Sequence, residues 1–578
     1  MNVLSVSSKR KLSLRTKVSK LALACSMLSL TVSFNALSAQ YDIQELATTD
    51  LGVNIFAQGL NNSGTALVTV QDTFNPPLDF SLIDFTNEEL IANLTDVESA
   101  AAGNPNADDY TYLASIARIA SRQGSLFSQQ MSLYQSFTQN GTTIERMLGF
   151  DQITDSTNGY TFGNDIIARG INDSNVVVGT SEGLYSKVDF TNSLDVDVTY
   201  VVSDFSRRAF VQNGSVVTEL APSMTIGGGI SEAYDINANM QVVGFSTVRE
   251  NSIITSLVTL CSDDESRGDQ PESVCLSNIG KDSGYLTRTD RRATVWELDN
   301  SGQLVSTTEY DLPFDPAEVF ADSENLEDFV FYNTAFAIND NGIAVGETQA
   351  INTAERSVIT ATIYQDGVTR EFISKEDYSG SSATDINNDN IITGYALKNV
   401  NGTNRRKGYF YNMATEDLVF FDDFFPGSAS EPKAINNNGL IVGEAEVEFV
   451  TNTTRRRNGF LYDLNTETFT NLNDLVACDS PYTIVGASAI NDDNIILANA
   501  LVNRQAQDIA GELVFDDNGD PVLIDKVVTV QLNPVVNGEV DDCSSDEEEV
   551  RPRQGASLSW FTLLGVFGFI TYRRRKMQ

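Results

Sequence analysis

The stretch Ala335-Phe-Ala-Ile-Asn339-Asp-Asn-Gly342-Ile-Ala-Val-Gly346 decides the fold, because close versions of it occur seven times along the chain. Every copy has an asparagine that directly follows leucine or isoleucine. A small residue, usually alanine, stands four positions before this asparagine, and a glycine stands seven positions after it in most copies. The seven asparagines are Asn61, Asn172, Asn237, Asn339, Asn387, Asn436 and Asn491. Such self-similarity is typical of a repeat architecture.

Each copy predicts a strand, a tight turn and a second strand. The third position after the asparagine is usually Gly or Asn, the residues that adopt a positive φ in a reversing chain most easily. The asparagine itself can fold its side chain back onto the turn. The flanking residues are β-branched or aliphatic, as a half-buried strand requires. We therefore interpret the seven asparagines as turn formers, with a ligand-binding role as the alternative.

The spacing of the copies predicts the architecture. The last four asparagines, from Asn339 to Asn491, are almost evenly spaced, and a second pair of strands, such as 459–470, follows most copies. Four short antiparallel strands in about 50 residues match one blade of a β-propeller, a fold that protects its sheet edges by radial repetition. We predict an all-β propeller of seven four-stranded blades. Two terminal strands, 41–46 and 528–532, are expected to pair and close the ring.

Composition and termini predict an exported protein. The 578 residues include 79 acidic and 38 basic residues and no histidine, and this acidic excess opposes nucleic-acid binding, which needs Lys and Arg. Residues 1–39 have the basic, apolar and small-residue regions of a signal peptide. The predicted order is then a propeller domain over 40–540, an acidic spacer over 541–555, an apolar helix over 556–572 and a basic tail over 573–578.

Four cysteines of the exported part are expected to form two disulfides, because export places them in an oxidising compartment. We predict that Cys261 bonds Cys275 and that Cys478 bonds Cys543. Metal binding is the alternative, although the spacing contains no Cys-x-x-Cys pair.

The C-terminus predicts a membrane partner. The apolar run is short for a span, which takes about 20 residues, and the arginines after it should stay in the cytoplasm. The order of small residues, apolar helix and arginines resembles the GlyGly-type sorting signals, which an intramembrane rhomboid-like protease cuts during export to the surface. The residues that carry this resemblance are Gly555, Ala556, Ser557, Arg573, Arg574 and Arg575. Because Ala556 replaces the second glycine, permanent inner-membrane anchoring is the alternative. Either way, the body of the protein would lie on the periplasmic or cell-surface side.

Two intervals between copies are too long for one blade. Residues 85–150 contain helical patterns, one of them starting at Asn106 and another covering Leu126 to Phe137, so we predict a helical insertion there. It could serve as a functional lid or as plain packing. The second interval contains a disulfide-closed loop over 255–285.

Candidate chemistry is sparse. The absence of histidine removes imidazole triads and histidine metal sites. Asp385-x-Asn387-x-Asp389 resembles the start of a calcium loop, but Asn390 replaces the glycine of that loop, so we favour the turn and predict no cofactor. Basic residues head the third strand of several units and would form a polyanion-binding ring or pair with acidic residues between blades. They are Arg207, Arg208, Arg291, Arg292, Arg405, Arg406, Arg455, Arg456 and Arg457.

The repeat phrase, followed by an Ala-Phe strand, resembles extracellular repeats named for a His-Ala-Phe signature. Arg208-Ala209-Phe210 stands where that signature would be. With its signal peptide and sorting tail, the whole chain resembles an uncharacterised domain-of-unknown-function family of bacterial envelope proteins. The resemblance implies repeats and an envelope location, and it implies no catalytic residues.

Two functions follow as hypotheses. The favoured one is a non-catalytic binding or scaffold module of the cell envelope, with an envelope protein or a polysaccharide as partner. The alternative is a glycan-active hydrolase or lyase that uses two carboxylates at the mouth of the propeller, such as Asp422 and Asp423.

Overall fold

The computed structural model describes residues 41–154, 159–450 and 454–538. Seven four-stranded antiparallel sheets stand around a common axis as the blades of a β-propeller, as predicted. The first strands of neighbouring blades contact one another around this axis. In blades 1 to 6 the four strands follow in order from the axis outwards, with a separate hairpin inserted within blade 2.

The strands are short, as a propeller requires. The first half of the chain contains β1 (Tyr41–Glu45), β2 (Gly52–Leu60), β3 (Ala66–Thr73), β4 (Tyr134–Asn140), β5 (Thr143–Arg146), β6 (Ile153–Thr154), β7 (Gly159–Tyr160), β8 (Ile166–Ile171), β9 (Val177–Ser181), β10 (Tyr185–Thr191), β11 (Asp197–Ser203), β12 (Arg208–Asn213), β13 (Val216–Leu220), β14 (Ser231–Ile236), β15 (Gln241–Glu250), β16 (Thr289–Leu298) and β17 (Leu304–Tyr310).

The second half has more regular spacing. It contains β18 (Asn333–Ile338), β19 (Ala344–Ile351), β20 (Ser357–Gln365), β21 (Val368–Glu371), β22 (Ser381–Ile386), β23 (Ile391–Val400), β24 (Thr403–Asn412), β25 (Asp417–Phe420), β26 (Ser430–Ile435), β27 (Leu440–Glu446), β28 (Arg457–Asp463), β29 (Thr468–Asn471), β30 (Thr483–Ile490), β31 (Ile496–Gln505) and β32 (Leu523–Pro534).

The helices are few and lie outside the blades. The α-helices are α1 (Glu88–Ile91), α2 (Val97–Ala101), α3 (Ala107–Arg122), α4 (Ser252–Ser262), α5 (Glu272–Lys281) and α6 (Pro316–Val319). Short 3-10 helices cover Ala47–Leu51, Phe80–Leu82, Ile226–Gly228, Tyr285–Arg288, Leu326–Asp328 and Leu472–Asp474.

The glycine seven positions after the repeat asparagine in blades 2 to 6 has a steric cause. In blade 3 a β-bulge in β14 shifts the register between Ala233 and Asp235. A Cβ placed on Gly244 would lie 1.8 Å from the carbonyl oxygen of Glu232 in that strand. The same clash arises at Gly346, 2.0 Å from the oxygen of Thr334. In blades 2 to 6 the second strand therefore carries glycine where it passes the bulge of the first, whereas blades 1 and 7 have Val68 and Ala498 at this position.

The turn position predicted to need positive φ adopts it in every copy. The φ angles are 75° at Gly342, 60° at Asn390 and 80° at Gly439. Met240, which departs from the Gly/Asn pattern, still has a φ of 63°. The turn geometry is thus imposed by the repeat even where a residue with a larger side chain has to follow it.

The hydrophobic core lies between neighbouring blades. Val178 and Val211 of blade 2 pack in one buried cluster with Ala233, Val242 and Trp296 of blade 3. Ala233 is fully buried, and its small side chain lets the inner strand approach the preceding blade. Each large apolar side chain buried in this way contributes about 2 kcal/mol, so blade-to-blade contact is the main source of cohesion.

The ring closes through both ends of the propeller, as predicted. The N-terminal β1 pairs with β32, for example Ile43 opposite Leu532, and completes blade 7 as its outermost strand. The Glu45 carboxylate accepts two hydrogen bonds from the Arg504 guanidinium across the same blade.

Three long connections cover one face of the propeller. They join the second and third strands of blades 1, 2 and 3 and contain α1 to α3, the hairpin β10–β11, and α4 with α5. Val274 of α5 packs with Tyr200 and Val202 of the hairpin, and the Val201 backbone N–H donates to the Leu126 carbonyl (2.7 Å). We call these three connections the cap and the side they cover the cap face.

The helical insertion is shorter than predicted. Helix α3 begins after Asn106, whose side chain accepts from the Asp109 N–H, as expected. The pattern over 126–137 was wrongly interpreted as a helix. Residues 134–140 and 143–146 are strands β4 and β5 of blade 1, where Gln135 and Ser136 are fully buried and the strand pairs with β3. Pairing within the sheet overrides the local helical periodicity.

The predicted disulfide between Cys261 and Cys275 is present. The segment 255–285 is not a simple loop, since the two cysteines join helices α4 and α5. Cys543 lies outside the described residues, so its pairing with Cys478 stays a prediction.

The prediction of a membrane partner needs correction. Within residues 41–154, 159–450 and 454–538, no helix is long and apolar enough to cross a membrane. The segments that led to this prediction, including Gly555 to Ser557 and Arg573 to Arg575, lie outside the described residues. The predicted signal peptide over 1–39 and acidic spacer over 541–555 also lie outside them.

Candidate functional site

The seven repeat asparagines form a closed ring around the axis, on the face opposite the cap. Each side-chain Nδ2 donates to the backbone oxygen of the equivalent asparagine in the next blade, over 2.9 to 3.2 Å. The order is Asn61, Asn172, Asn237, Asn339, Asn387, Asn436, Asn491 and back to Asn61. We call this the asparagine ring.

The same side chains also hold their own turns. Asn339 Oδ1 accepts from the N–H groups of Asn341 (3.1 Å) and Ile343 (3.0 Å). Each asparagine of the ring is buried, and both the nitrogen and the oxygen of its side-chain amide are hydrogen-bonded. A cavity of about 190 Å³ is lined by the ring and its neighbours. The observed contacts give these residues a structural role.

The segment that resembles a calcium loop also holds its blade together. Asp385 accepts from the backbone N–H of Ile435 in the next blade (2.7 Å) and from Ile386 (2.8 Å). Burial, with a smaller contribution from the negative charge of Asp235, raises the pKa of Asp385 to about 8. These bonds occupy both carboxylate oxygens of Asp385.

The predicted arginines head the third strands on the cap face, as expected, but they are not a free ring of charge. Eight of the nine lie 2.5 to 3.9 Å from a carboxylate oxygen: Arg207, Arg208, Arg292, Arg405, Arg406, Arg455, Arg456 and Arg457. In blade 6, Glu431 contacts both Arg406 and Arg457. Pairing with acidic residues is therefore the interpretation that the observed contacts support for these eight. Arg291 is the exception among the described residues.

A cavity of about 500 Å³ lies between the cap and blades 2 and 3. Its walls combine the C-terminal end of α3, the start of the hairpin, the C-terminal end of α5 and the cap-side ends of β8 and β9. We call it the cap cavity. The polar residues used below that line it are Asp165, Thr180, Glu182, Tyr185, Ser206 and Lys281.

Two carboxyl groups meet in the wall of the cap cavity. Asp165 precedes β8 and Glu182 follows β9, and these strands are antiparallel partners. The Asp165 backbone N–H donates to Glu182 Oε2 (3.0 Å), and Asp165 Oδ1 accepts from the N–H groups of Leu133 and Tyr134. Burial, together with the charge of Asp165, raises the pKa of Glu182 to about 7. Burial also raises the pKa of Asp165. The pair can therefore hold or release a proton near neutral pH.

A lysine and a tyrosine stand beside this pair. The Lys281 ammonium lies 4.4 Å from the centre of the Tyr185 ring, and the Tyr185 hydroxyl is 3.4 Å from Glu182 Oε2. Burial lowers the pKa of Lys281, while Glu182 acts in the opposite direction. Within the described residues, Lys281 makes no ion pair, so its charge faces the cavity with the support of an aromatic ring.

Two hydroxyl groups of the cavity wall have no hydrogen-bond partner among the described residues. They are Thr180 Oγ1, on a residue that is only 5% exposed, and Ser206 Oγ. A buried hydroxyl left unpaired costs about 1–3 kcal/mol, and most such groups in proteins are paired. Both residues line the cap cavity, and the protein leaves both hydroxyls unused within the described residues.

The sequence alone did not indicate this site. The candidate pair Asp422 and Asp423 lies in the connection between blades 5 and 6, away from the cap cavity, and Asp423 contacts Lys407. A signal for Asp165 and Glu182 did exist, because they flank the first two strands of the second repeat at the same end. Lys281 and Ser206 carry no such signal, since the cap brings them to the cavity.

Comparison with known proteins finds distant structural likenesses and a matching family. No curated protein matches the chain. Among solved structures, the Pyrococcus horikoshii acylaminoacyl peptidase is similar at 8% identity, with a TM-score of 0.37 over 84% of this chain and 53% of that one. The polysaccharide lyase Uly1 is similar at 9% identity, with a TM-score of 0.33 over 71% of this chain and 86% of that one.

A protein of unknown function from Dyadobacter fermentans is similar at 9% identity, with a TM-score of 0.30 over 64% of this chain and 94% of that one. This chain spans about half the length of the peptidase. A sequence-family model matches residues 16–575, nearly the whole chain. The chain therefore belongs to the family described as protein of unknown function (DUF3466).

Proposed function

We propose that this protein is a non-catalytic binding module of the bacterial cell envelope that takes a small, hydroxyl-rich ligand into the cap cavity. The observation that carries the proposal is the pair of unpaired hydroxyls, Thr180 Oγ1 and Ser206 Oγ, in the cavity wall. A volume of about 500 Å³ lies within the range of about 300–1,000 Å³ that is usual for small-molecule sites.

The chemistry of the wall favours a sugar-like ligand. The hydroxyls of Thr180 and Ser206 can each donate and accept, which matches the hydroxyls of a saccharide. Glu182 supplies a donor when protonated and an acceptor when ionised, and Lys281 supplies a cation. The apolar side chains of Leu126, Met131 and Ile230 line other parts of the wall. We infer that the end of an envelope polysaccharide is the natural partner.

The position of the cavity supports binding by one face of the molecule. The cap is built from three connections of neighbouring blades, and the seven blades carry it on one face. Binding residues are commonly placed on connections that a rigid scaffold positions. An exported location, expected from the N-terminal segment 1–39, would bring the cap face into contact with envelope glycans.

The test is a binding screen of the full-length protein against envelope-type oligosaccharides, by calorimetry or glycan array. Thr180→Val removes the hydroxyl with little change in volume, and we expect it to weaken binding about 10-fold, the equivalent of one hydrogen bond. Thr529→Val is the matched control, because Thr529 is also buried with an unpaired hydroxyl but lies in blade 7. Equal affinity in wild type and Thr180→Val, or no ligand in the screen, would count against the proposal.

A second function is favoured by one observation. Asp165 and Glu182 form a carboxyl pair in which Glu182 has a pKa of about 7, as a general acid or base requires. A glycan hydrolase or lyase would use this pair on the same ligand. Product analysis of each glycan that binds separates the two functions, since turnover that Glu182→Gln abolishes would replace the binding module by an enzyme.

A further inference from the structure

Three guanidinium groups gather around one tyrosine under the cap. Tyr234, on the innermost strand of blade 3, stacks with Arg169, and its ring centre lies 6.4 Å from that of Phe245, which stacks with Arg291. Glu232 links the Tyr234 hydroxyl to Arg207. The chain has about twice as many acidic as basic residues, so a local excess of arginine is unexpected. This cluster lies outside the carboxyl pair of the cap cavity, although Arg207 borders both.

One of the three arginines is already neutralised. Arg207 Nε lies 2.7 Å from Glu232 Oε1, and the Tyr234 hydroxyl donates to Glu232 Oε2 (2.8 Å). Glu232 is 8% exposed, and both of its carboxylate oxygens are engaged by these two neighbours. It is therefore committed to Arg207 and Tyr234.

The other two arginines lack a carboxylate partner. In the part of the chain that the structure describes, neither Arg169 nor Arg291 makes an ion pair, and the Nε atom of each is buried without a hydrogen-bond acceptor. Glu347 lies near Arg291 but makes no ion pair with it within the described residues. Burial raises the pKa of Glu347, which disfavours its charged form. Buried guanidinium groups are normally paired with anions, because an unpaired charge is costly.

Aromatic faces hold these two arginines in place. The Arg169 Cζ atom lies 5.1 Å from the centre of the Tyr234 ring. The Arg291 Cζ atom lies 4.4 Å from the Tyr332 ring and 5.3 Å from the Phe245 ring. Stacking fixes the plane of a guanidinium and leaves its N–H edge free to bind a carboxylate, sulfate or phosphate in a forked arrangement.

We propose that Arg169 and Arg291 form an anion-binding site beside Tyr234, under the cap, that takes a carboxylate, sulfate or phosphate group. A bound anion would supply the negative charge that these two partly buried cations lack. This anion site is separate from the hydroxyl groups of the cap cavity. It would select a ligand by its negative charge, whereas the cap cavity would select one by its hydroxyl groups.

The experiment is calorimetric titration of the full-length protein at low ionic strength with acetate, sulfate, inorganic phosphate and glucuronate. We expect at least one of these anions to bind, and the one that binds most tightly identifies the group. Arg169→Gln and Arg291→Gln should each weaken that binding at least 10-fold. Arg169→Lys should weaken it less than Arg169→Gln, because it keeps the charge and loses the fork.

Arg356→Gln is the matched control, because Arg356 is an exposed arginine of blade 4 without an ion pair among the described residues, and it should bind as the wild type does. Circular dichroism shows which variants fold, and if Arg291→Gln does not, Arg169→Gln decides the matter. The proposal fails if the wild type binds none of the four anions or if Arg169→Gln binds as tightly as the wild type.

Discussion

Blades 1 to 3 and blades 4 to 6 carry the same inner strands and the same asparagine ring, yet they differ in one connection. Between their second and third strands, blades 1 to 3 insert residues 74–133, 182–207 and 251–288. The same connections in blades 4 to 6 cover only 352–356, 401–402 and 447–456. The repeat phrase thus determines the propeller itself. The connections between the second and third strands, which all lie on the cap face, determine what the propeller can bind.

The two groups of blades also use their polar residues differently. In blades 4 to 6 the notable charged groups, such as Glu431 with Arg406 and Arg457, join neighbouring strands and blades in ion pairs. Beneath the cap, Lys281, Arg169 and Arg291 make no ion pair within the described residues. These three cations lie where the chain has added segments.

The largest expected effect comes from the glycine that blades 2 to 6 have beside the bulge. Gly244→Ala would place a Cβ 1.8 Å from a backbone oxygen, and Gly346→Ala would place one at 2.0 Å. We expect each to lower the free energy of unfolding by about 3 kcal/mol or more, because the backbone cannot move aside cheaply. The midpoint of thermal unfolding measures this loss.

Gly427→Ala is the control for these variants. Its Cβ would lie 3.6 Å from the nearest atom, on the Phe425 ring, so the cost should stay below about 1 kcal/mol. A large loss of stability for Gly346→Ala with a small loss for Gly244→Ala would contradict this expectation. It would show that the cap stabilises blade 3 enough to offset the clash, so that capped and uncapped blades respond differently.

A smaller effect is expected from opening the asparagine ring in an uncapped blade. Asn387→Ala removes the acceptor of the Ile391 N–H (2.9 Å) and the donor to the Asn436 carbonyl (3.1 Å). We expect a loss of about 2 kcal/mol, which combines the lost turn bond with the lost hydrogen bond between the blades. Chemical denaturation of the variant provides the measurement.

Asn412→Ala, in the outer turn of the same blade, separates the contribution of the turn from that of the hydrogen bond between blades. Asn412 Oδ1 accepts from the Ala414 N–H (2.9 Å) and takes no part in the ring. Its loss should cost about 1 kcal/mol or less. If both variants lose the same stability, the bond between blades adds nothing and the ring is merely a set of independent turns.

The smallest effect concerns the capped blades alone and depends on pH. The pKa of Glu182 is raised to about 7 in the folded protein, above its ordinary value of 4.5, so the folded state binds more protons between these two values. Stability from this group is therefore present at low pH and is lost as the pH rises towards and through 7. Glu182→Gln should abolish that loss and gain about 1–2 kcal/mol over wild type at pH 8, with no gain at pH 4.

Unfolding midpoints of the wild type and Glu182→Gln between pH 4 and 8 test this prediction. Glu355→Gln, in the short connection of blade 4, should leave the pH profile of the wild type unchanged, since Glu355 is exposed. Parallel profiles for wild type and Glu182→Gln would contradict the assigned protonation and weaken the case for proton chemistry in the cap cavity.

The frame was predictable because its determinants are local. The asparagine, the residue with positive φ three positions later and the glycine that avoids the bulge all lie within one short stretch of sequence, so each copy can show the pattern by itself. The pairing of β1 with β32 was predictable too, because β1 has no partner nearby in the sequence and β32 is the last strand at the other end.

The candidate site was not predictable, because tertiary packing creates it. Lys281 faces the cavity only through the packing of α5, and the strand β4 covers a stretch with helical periodicity. The arginine doublets were located correctly by sequence, but their carboxylate partners lie on other strands, for example Glu431 beside Arg457. Arg169 carried no sequence signal, since its significance depends on the face of Tyr234.

The closure of blade 7 by β1 has a kinetic consequence. Tyr41 pairs with Pro534, so the last sheet needs two segments from opposite ends of the propeller, and the asparagine ring closes only when Asn491 reaches Asn61. Contacts of such long sequence separation form slowly, since the intervening chain must first be ordered. A chain that emerges from its N-terminus can assemble blade after blade, but it stays an open arc with an unpaired edge until the final strand arrives. That interval is when the growing protein is most exposed to aggregation and to proteases.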